Sequence, residues 1–350
     1  MNTINDIQYS EMVDGEFENN PEKSNHFLYG ENINAAYINW NKEFKKVTLQ
    51  IGLRGEQYNA TGKDIIGEPL VHRSNFNLFP SGFIQYNINE KNQLSFSYSS
   101  RINRPVYYLL NPFEYYYDPY TYQLGNPYLL PELARVFDLS YLFMGKYFLS
   151  YNASVFKDYN YEASIQNDSL KTLAYMPVNL AKALVHSLSL AVPLSLAKWW
   201  DLNGNFAFTY SIYKGTLNEI KLDNSMASFN FNLANSFILP RHYTVSLFGF
   251  YQAPSLSGIQ KFDQVSNVSV SLKKSIWNDK ANIIASAKDI FKGQRDNVTV
   301  DFDNLHLKSR QVYDSRRGSL TFTYNFNKGK HFKTRNINSA NEEERSRVKQ

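Results

Sequence analysis

The stretch Leu202-Asn203-Gly204-Asn205-Phe206-Ala207-Phe208-Thr209-Tyr210-Ser211-Ile212 carries its large apolar side chains at even positions and small or polar ones at odd positions. Successive side chains of an extended strand point to opposite faces, so this segment is a β-strand with one apolar and one polar face. The pattern recurs: Ala227, Phe229, Phe231 and Leu233 alternate with Ser228, Asn230 and Asn232, and Val268, Val270 and Leu272 with Asn267, Ser269 and Ser271. Near the end, Leu320, Phe322, Tyr324 and Phe326 alternate with Thr321, Thr323 and Asn325.

Worked outward, the alternation predicts about thirteen strands of the length a tilted membrane crossing needs, roughly 9–11 residues or more. They fall near 31–41, 45–58, 79–89, 92–103, 132–143, 147–162, 179–194, 200–214, 223–238, 242–254, 259–275, 280–290 and 308–327. Residues 1–24 can supply one further partial strand, making about fourteen. Tight turns at NKEF, NEKN, MGK, LAKWW, PRH and WNDK alternate with long connections around 59–78, 104–131, 163–178, 215–222 and 291–307, and a shorter one at Pro254–Gly258. Outer-membrane barrels have short periplasmic turns and longer extracellular loops, so the asymmetry assigns sides and sends the long connections outward. The expected fold is all-β: an antiparallel up-and-down transmembrane β-barrel.

A soluble sandwich shows the same alternation, and the polar face separates the two. Mid-strand it is dominated by Asn, Ser, Thr and Gln rather than Lys and Glu, as suits a lumen. Trp40, Tyr147, Trp199, Trp200, Tyr243 and Trp277 sit near strand ends, where aromatic girdles meet lipid headgroups.

Composition agrees. The 350 residues are 43% hydrophobic and 16% aromatic, too apolar for general disorder. No run approaches the roughly 20 apolar residues of a spanning helix; the richest, Leu188 to Trp200, is broken by serines, Pro193 and Lys198. A mean hydropathy of -0.45 does not count against a barrel, whose strands face lipid with alternate residues only. Without cysteine there is neither a disulfide framework nor a thiolate nucleophile. The net charge of +5 is spread along the chain, which excludes nucleic acid as a partner. MNTINDIQYSEMVDGEF lacks the basic start and apolar core of a secretory signal, so an exported protein would carry its signal upstream. The expected organisation is an N-terminal segment 1–24, a barrel portion 25–327 and a charged periplasmic tail 328–350.

Catalysis has no support. The histidines His26, His72, His186, His242, His306 and His331 are scattered, without a metal-binding pair. A hydrolase on a strand face would place serine two residues from histidine, whereas His186 has Leu188 there and His242 has Thr244. P-loop, dinucleotide, HExxH and GxSxG motifs are missing, so the chain is expected not to be an enzyme and to hold no cofactor or metal. The chemically distinctive segment is Ser100 to Glu132, SRINRPVYYLLNPFEYYYDPYTYQLGNPYLLPE. Arg104, Tyr107, Tyr108, Tyr115, Tyr116, Tyr117, Tyr120 and Tyr122 are its candidate ligand-facing residues, and Pro105, Pro112, Pro119, Pro127 and Pro131 stiffen it. Tyrosines offer flat apolar faces with hydroxyl tips, suited to an amphipathic extracellular ligand; packing into the barrel mouth would use the same residues.

This loop also carries a family resemblance. Ser100-Arg101, Arg104-Pro105, Leu110-Asn111-Pro112-Phe113, Asp118-Pro119-Tyr120, Gly125-Asn126-Pro127 and Leu130-Pro131-Glu132 are, in that order, similar to outer-membrane β-barrel proteins related to TonB-dependent receptors. Upstream, Tyr29-Gly30-Glu31-Asn32-Ile33-Asn34-Ala35-Ala36-Tyr37 and Gly52-Leu53-Arg54-Gly55-Glu56 resemble two strands of the same family. So does the terminal Tyr324-Asn325-Phe326 strand end before its charged tail. The resemblance implies a receptor-type barrel of about 22 strands with an N-terminal plug and a TonB-contacting segment. This sequence shows no plug, coupling box or signal, so it reads as the C-terminal portion of such a barrel, with TonB a partner only through a plug region upstream. The leading reading is an outer-membrane receptor or transporter segment, embedded in lipid, binding or importing a ligand through its extracellular loops. A self-contained smaller barrel acting as channel or adhesin comes second, and a secreted carbohydrate-binding β-protein third. A truncated barrel expressed alone is expected to aggregate through its open edges.

Overall fold

The computed structural model describes residues 2–20, 24–63 and 69–326. The expected tail 328–350 lies outside the described residues. The strands are β1 (Asn2–Ile7), β2 (Ser10–Val13), β3 (Glu16–Asn19), β4 (Asn25–Glu43), β5 (Val47–Lys63), β6 (Pro69–Asn89) and β7 (Asn92–Asn103). The one-turn helix α1 (Tyr107–Leu110) precedes β8 (Glu114–Asp118), β9 (Thr121–Leu124), β10 (Glu132–Phe143), β11 (Tyr147–Asn167), β12 (Thr172–Ala197), β13 (Trp200–Leu217) and β14 (Ile220–Leu239). Then come β15 (Tyr243–Gln252), β16 (Ser255–Ser257), β17 (Gln260–Phe262), β18 (Val265–Ile276), β19 (Ala281–Lys288), β20 (Arg295–Phe302), β21 (Leu305–Val312) and β22 (Arg317–Tyr324).

Among the described residues fourteen strands form one wall in the order β1-β4-β5-β6-β7-β10-β11-β12-β13-β14-β15-β18-β19-β22. Each pairs antiparallel with the next wall strand along the chain, as an up-and-down barrel requires. β16, β17, β20 and β21 make a separate four-stranded sheet, and β2 and β3 a small hairpin.

Two expected strands are corrected. The segment 259–275 is β17, a turn at Asp263-Gln264, then β18; the segment 308–327 is β21 and β22. Period two runs through both breaks because a loop hairpin and a wall strand share one side-chain geometry. The connections expected around 163–178 and 215–222 are also largely strand. β11 and β12, of 21 and 26 residues, pair as far as Asn167 and Thr172, and β13 meets β14 across Asn218-Glu219, both at positive φ as a tight hairpin turn demands. β5 and β6 likewise stay paired to Lys63 and Pro69. These hairpins outlast the bilayer: 26 residues extend for roughly 85 Å, well beyond a hydrocarbon core about 30 Å thick.

Toward the short-turn end, the apolar face of the wall is exposed. Phe208 is 51% and Leu320 77% accessible, and Leu53, Phe96, Leu139, Leu188, Phe229, Leu247 and Leu272 are exposed on the same side. In water so large an apolar surface would drive aggregation; against lipid it matches its solvent. The opposite face is laced by side-chain hydrogen bonds between neighbouring strands. Ser95 meets Ser140 at 2.8 Å, Asn205 donates to Asn232 at 2.9 Å, and Ser286 meets Ser319 at 2.8 Å. At the short-turn end Trp199 and Trp200 lie 6.0 Å apart, and Trp277 lies 5.9 Å from Tyr324, forming one aromatic girdle.

Above the apolar band the pattern changes face. In β5 the exposed apolar residues are Ile51 and Leu53, whereas higher up Tyr58 and Ala60, of the other parity, are buried. β13 shifts from Phe206, Phe208 and Tyr210 to Tyr213 and Leu217, and β14 from Phe229 to Leu222. The upper cores therefore lie on the face that is polar and lumenal lower down. β11 and β12 reach the same result through an irregularity: Asp158, at φ 54°, and Ala181 drop out of the ladder, and beyond them Tyr161, Ala163 and Leu180 are buried.

Candidate functional site

Two folded caps occupy the lumenal side at the long-connection end. The first is the segment between β7 and β10. Pro105 leads into α1, whose Leu110, with Leu129, inserts among Phe27, Tyr29, Tyr58 and Ala60; Leu110 and Leu129 are 1% and 0% exposed. Gly125 lies so close to Asn111 that a Cβ would stand 1.9 Å from its carbonyl oxygen. Only glycine fits there, which explains why Leu-Asn-Pro-Phe and Gly-Asn-Pro occur together: the two turns interlock. Arg73 donates to the carbonyls of Leu129 and Pro127 at 2.7 and 3.0 Å. Asn179 accepts from the Leu130 amide at 2.7 Å and donates to the Leu130 carbonyl at 3.1 Å. Asn126 donates to the Pro177 carbonyl at 3.0 Å.

Arg104 anchors the start of this cap. Its guanidinium pairs with Glu56 and sits 4.9 Å from the Tyr58 ring centroid. The side chains of Arg104 and Glu56 are only 5% and 4% exposed, and Glu56 also holds Arg54 Nε at 2.5 Å. At the other end Glu132 accepts from Asn103 at 2.7 Å and from the Asn160 amide at 3.1 Å. The expected ligand-facing residues thus divide. Arg104 is packed inside, and Tyr107 donates to the Phe27 carbonyl at 3.0 Å with its ring 5.7 Å from that of Phe27.

Tyr108 lies on α1, Tyr115, Tyr116, Tyr117 and Tyr120 on the β8–β9 hairpin or its turn, and Tyr122 on β9, so the segment has secondary structure of its own. Tyr115, Tyr117 and Tyr120 are 59%, 58% and 62% exposed, Tyr108 and Tyr116 are also exposed, and Tyr122 is partly covered. β9 pairs in parallel with β12, Thr121–Gln123 against Leu173–Tyr175, which ties the hairpin to the wall. Tyr115 and Tyr117 meet edge-on at 5.5 Å, Tyr117 reaches Tyr175 at 6.3 Å, and its hydroxyl donates to Gln123 at 3.0 Å. Tyr116 projects the other way, against Tyr122. Its hydrogen bond to Glu114 is the main reason its phenol is pushed up to about 12. The Asp118 carboxyl is held below its ordinary value, chiefly by the Tyr120 amide and then by Thr121.

The second cap went unseen in the sequence. β16, β17, β20 and β21 cover a core of Tyr161, Leu180, Tyr213, Leu217, Leu222, Ile259, Val300 and Leu305. Gly258 lies on the Tyr161 ring, where a Cβ would stand 2.5 Å from it. Asp289, fully buried, accepts the amides of Gly293 and Gln294 at 2.9 and 3.2 Å and the Ser315 hydroxyl, tying the chain that enters β20 to the chain that leaves β21. Burial opposes ionisation of Asp289, yet those three donors, with nearby Arg316, hold its carboxyl below the usual value. The only advance signals were Pro254 and Gly258, which mark a turn.

Among the described residues no group of three or more His, Asp or Glu side chains could hold a metal. His186 meets the Tyr151 hydroxyl at 2.8 Å, and His306 and His242 pair with Asp301 and Asp279 at 2.6 and 3.6 Å.

An antiparallel meander, exposed apolar on one face and hydrogen-bonded polar on the other, with a tryptophan girdle, is the wall of a transmembrane β-barrel. The chain belongs to the outer membrane protein β-barrel family, whose sequence profile it matches over residues 1–324, and it resides in the outer membrane. Its fold is similar to that of the ferric yersiniabactin uptake receptor FyuA from Yersinia pestis: TM-score 0.56 at 13% identity over 85% of this chain and 46% of that one. The copper transporter OprC matches with TM-score 0.58, 13% identity and 90% and 52% coverage. The iron transporter FrpB from Neisseria meningitidis gives 0.54, 17%, and 86% and 46%. The chain spans about half the length of these receptors. No curated protein matches the sequence. These three solved proteins are an uptake receptor and two transporters.

Proposed function

We propose that this chain forms the ligand-binding wall of an outer-membrane receptor or transporter of the TonB-dependent type. The observation that carries the reading is the contrast within the segment between β7 and β10. Its base is locked by Arg104, Gly125, Leu110 and Leu129, while the hairpin it carries exposes Tyr115, Tyr117 and Tyr120. A rigid mount under exposed aromatic side chains limits the entropy lost on binding. The similar proteins are an uptake receptor for ferric yersiniabactin, a copper transporter and an iron transporter, so a small metal-bearing solute is the first ligand class to test. TonB would be a partner only through a plug region upstream, as the family resemblance implies. A passive channel is less well supported, because two folded caps stand on the lumenal face at the outer end.

The test is replacement of Tyr115, Tyr116 and Tyr117 together by alanine in the native protein. Ligand binding or uptake by cells is expected to fall while heat-modifiable gel mobility, the mark of a folded barrel, is kept. Unchanged binding with the barrel intact would overturn the reading.

A further inference from the structure

Where the second cap joins the wall there is a cavity of about 510 Å³, lined among others by Asp263, Phe291, Lys292, Arg295 and Asn297. These residues come from the turn between β17 and β18, the connection from β19 to β20, and β20 itself. The volume falls within the range of small-molecule sites, about 300–1,000 Å³.

Strand geometry brings the side chains together. The Asp263 amide donates to the Asn297 carbonyl at 3.0 Å, which carries the β17–β20 pairing one residue beyond Phe262–Val298 and sets Asp263 opposite Asn297. Opposite residues of an antiparallel pair project to one side, as do residues two apart on a strand, so Asp263, Asn297 and Arg295 share a face. Val298 and Val300, of the other parity, pack in the cap's core, so the shared face is the one turned away from it. The connection that bears Phe291 and Lys292 is braced as well. The Lys292 amide donates to the Asp289 carbonyl at 2.9 Å, and the Ser266 amide to the Gly293 carbonyl at 3.2 Å.

Two properties of this lining call for a ligand. Asp263 and Lys292 have no ion-pair partner among the described residues, and Arg295 engages only its Nε, with the Lys292 carbonyl at 3.0 Å. Charges of opposite sign therefore share one cavity without neutralising each other. In addition, Asn297 Oδ1 is buried and accepts no hydrogen bond from the protein. An orphaned buried acceptor is costly, and a donor carried by a bound solute removes the cost. A simple anion brings no such donor.

We infer that this cavity binds an α-amino acid or short peptide, its carboxylate held by Arg295 and Lys292 and its ammonium by Asp263 and Asn297. The guanidinium fork matches a carboxylate, and an ammonium donates to both oxygen acceptors at once. Phe291, 71% exposed, offers its ring to an apolar side chain. The cavity shares no residue with the tyrosine hairpin, so failure of either reading leaves the other standing.

The experiment is equilibrium dialysis of labelled L-phenylalanine, and in a second arm glycylphenylalanine, against the native protein extracted from outer membranes. Both zwitterions are expected to bind about tenfold more tightly than 3-phenylpropionate, which lacks the ammonium, and phenethylamine, which lacks the carboxylate, the scale of one charge-assisted contact. Asp263→Asn is expected to weaken the zwitterions about tenfold and leave 3-phenylpropionate unchanged, whereas Arg295→Gln weakens all three carboxylates. A merely structural role for either residue would not split the ligands in this way. Asn297→Ala should weaken the zwitterions several-fold, and Lys146→Gln, at a short turn, should change nothing. Heat-modifiable mobility checks that each variant is folded. Binding in one arm alone supports the site and identifies amino acid or peptide as its ligand. Wild-type protein that binds neither zwitterion, 3-phenylpropionate bound as tightly as phenylalanine, or Asp263→Asn or Arg295→Gln protein that binds like wild type would overturn the inference.

Discussion

The lower and upper halves of β13 obey the same alternation and bury opposite faces. From Phe206 to Tyr210 the large apolar side chains point away from the lumen and stay exposed; at Tyr213 and Leu217 they point inward and are buried at 6% and 4%. β5, β14 and, through its irregularity at Asp158, β11 do the same. The difference teaches where the solvent changes. Within lipid the outward face must be apolar, whereas beyond the headgroups the outward face meets water and a core can form only against something inside. The two caps are that something.

The largest break in this comparison is expected from Gly125→Ala. Its methyl would meet a backbone carbonyl that cannot move aside, so the first cap should detach while the lipid-facing wall stands. Protease added to whole cells should then cut within 104–131, with heat-modifiable mobility retained. Arg104→Ala comes next: it leaves Glu56 buried with one partner fewer, at a cost of about 3–5 kcal/mol in cap docking. Arg104→Lys should restore only part of it, because lysine cannot stack on Tyr58 as a planar fork does. Local hydrogen exchange of the Leu110 and Leu129 amides reads both.

Below the switch the ranking of faces reverses. Phe208→Lys should cost about 2–4 kcal/mol if the residue lies near the bilayer midplane, whereas Thr209→Lys, one residue on and lumenal, should cost well under about 1 kcal/mol. Refolding titrations in lipid vesicles compare the pair; equal costs would mean that the two faces do not see different solvents. The second cap adds a pH dependence. The Asp289 carboxyl is depressed, so its latch is fully formed above the ordinary aspartate value of 3.8 and is lost as pH falls through the lower folded value. Protection of the Gly293 and Gln294 amides should therefore hold at pH 5 and fall only in stronger acid, and Asp289→Ala should remove it at every pH. Smallest of all is the effect on the wall of changing Tyr115, Tyr116 and Tyr117 to alanine, expected within about 0.5 kcal/mol because these side chains are exposed.

The wall was legible because alternation and turn chemistry are local. Leu202 to Ile212 announce both faces of one strand, and MGK, PRH and WNDK mark their turns. What was not legible depends on pairing. Nothing between Gln260 and Ile276 separates a cap strand from a wall strand, since both alternate and only their partners differ: β20 for one, β15 and β19 for the other. Within the site, the tyrosines and prolines of 104–131 stood out by composition, but composition could not sort Tyr107, held by Phe27 from 80 residues away, from the exposed Tyr117. Arg104 was expected to face ligand, and its burial against Glu56, two strands away in sequence, could not be read from the loop itself.

The central claim is the change of face along a single strand, and the cysteine-free sequence makes it directly measurable. Single cysteines placed in turn at positions 206 to 217 of β13 can be tested in intact outer membranes with a water-soluble maleimide and with a lipid-phase spin quencher. The account predicts that Phe206, Phe208 and Tyr210 report lipid and Lys214 and Thr216 report outer water, while Tyr213 and Leu217 react with neither reagent. A single alternation running unbroken from 206 to 217, with Tyr213 and Leu217 open to the maleimide, would contradict it.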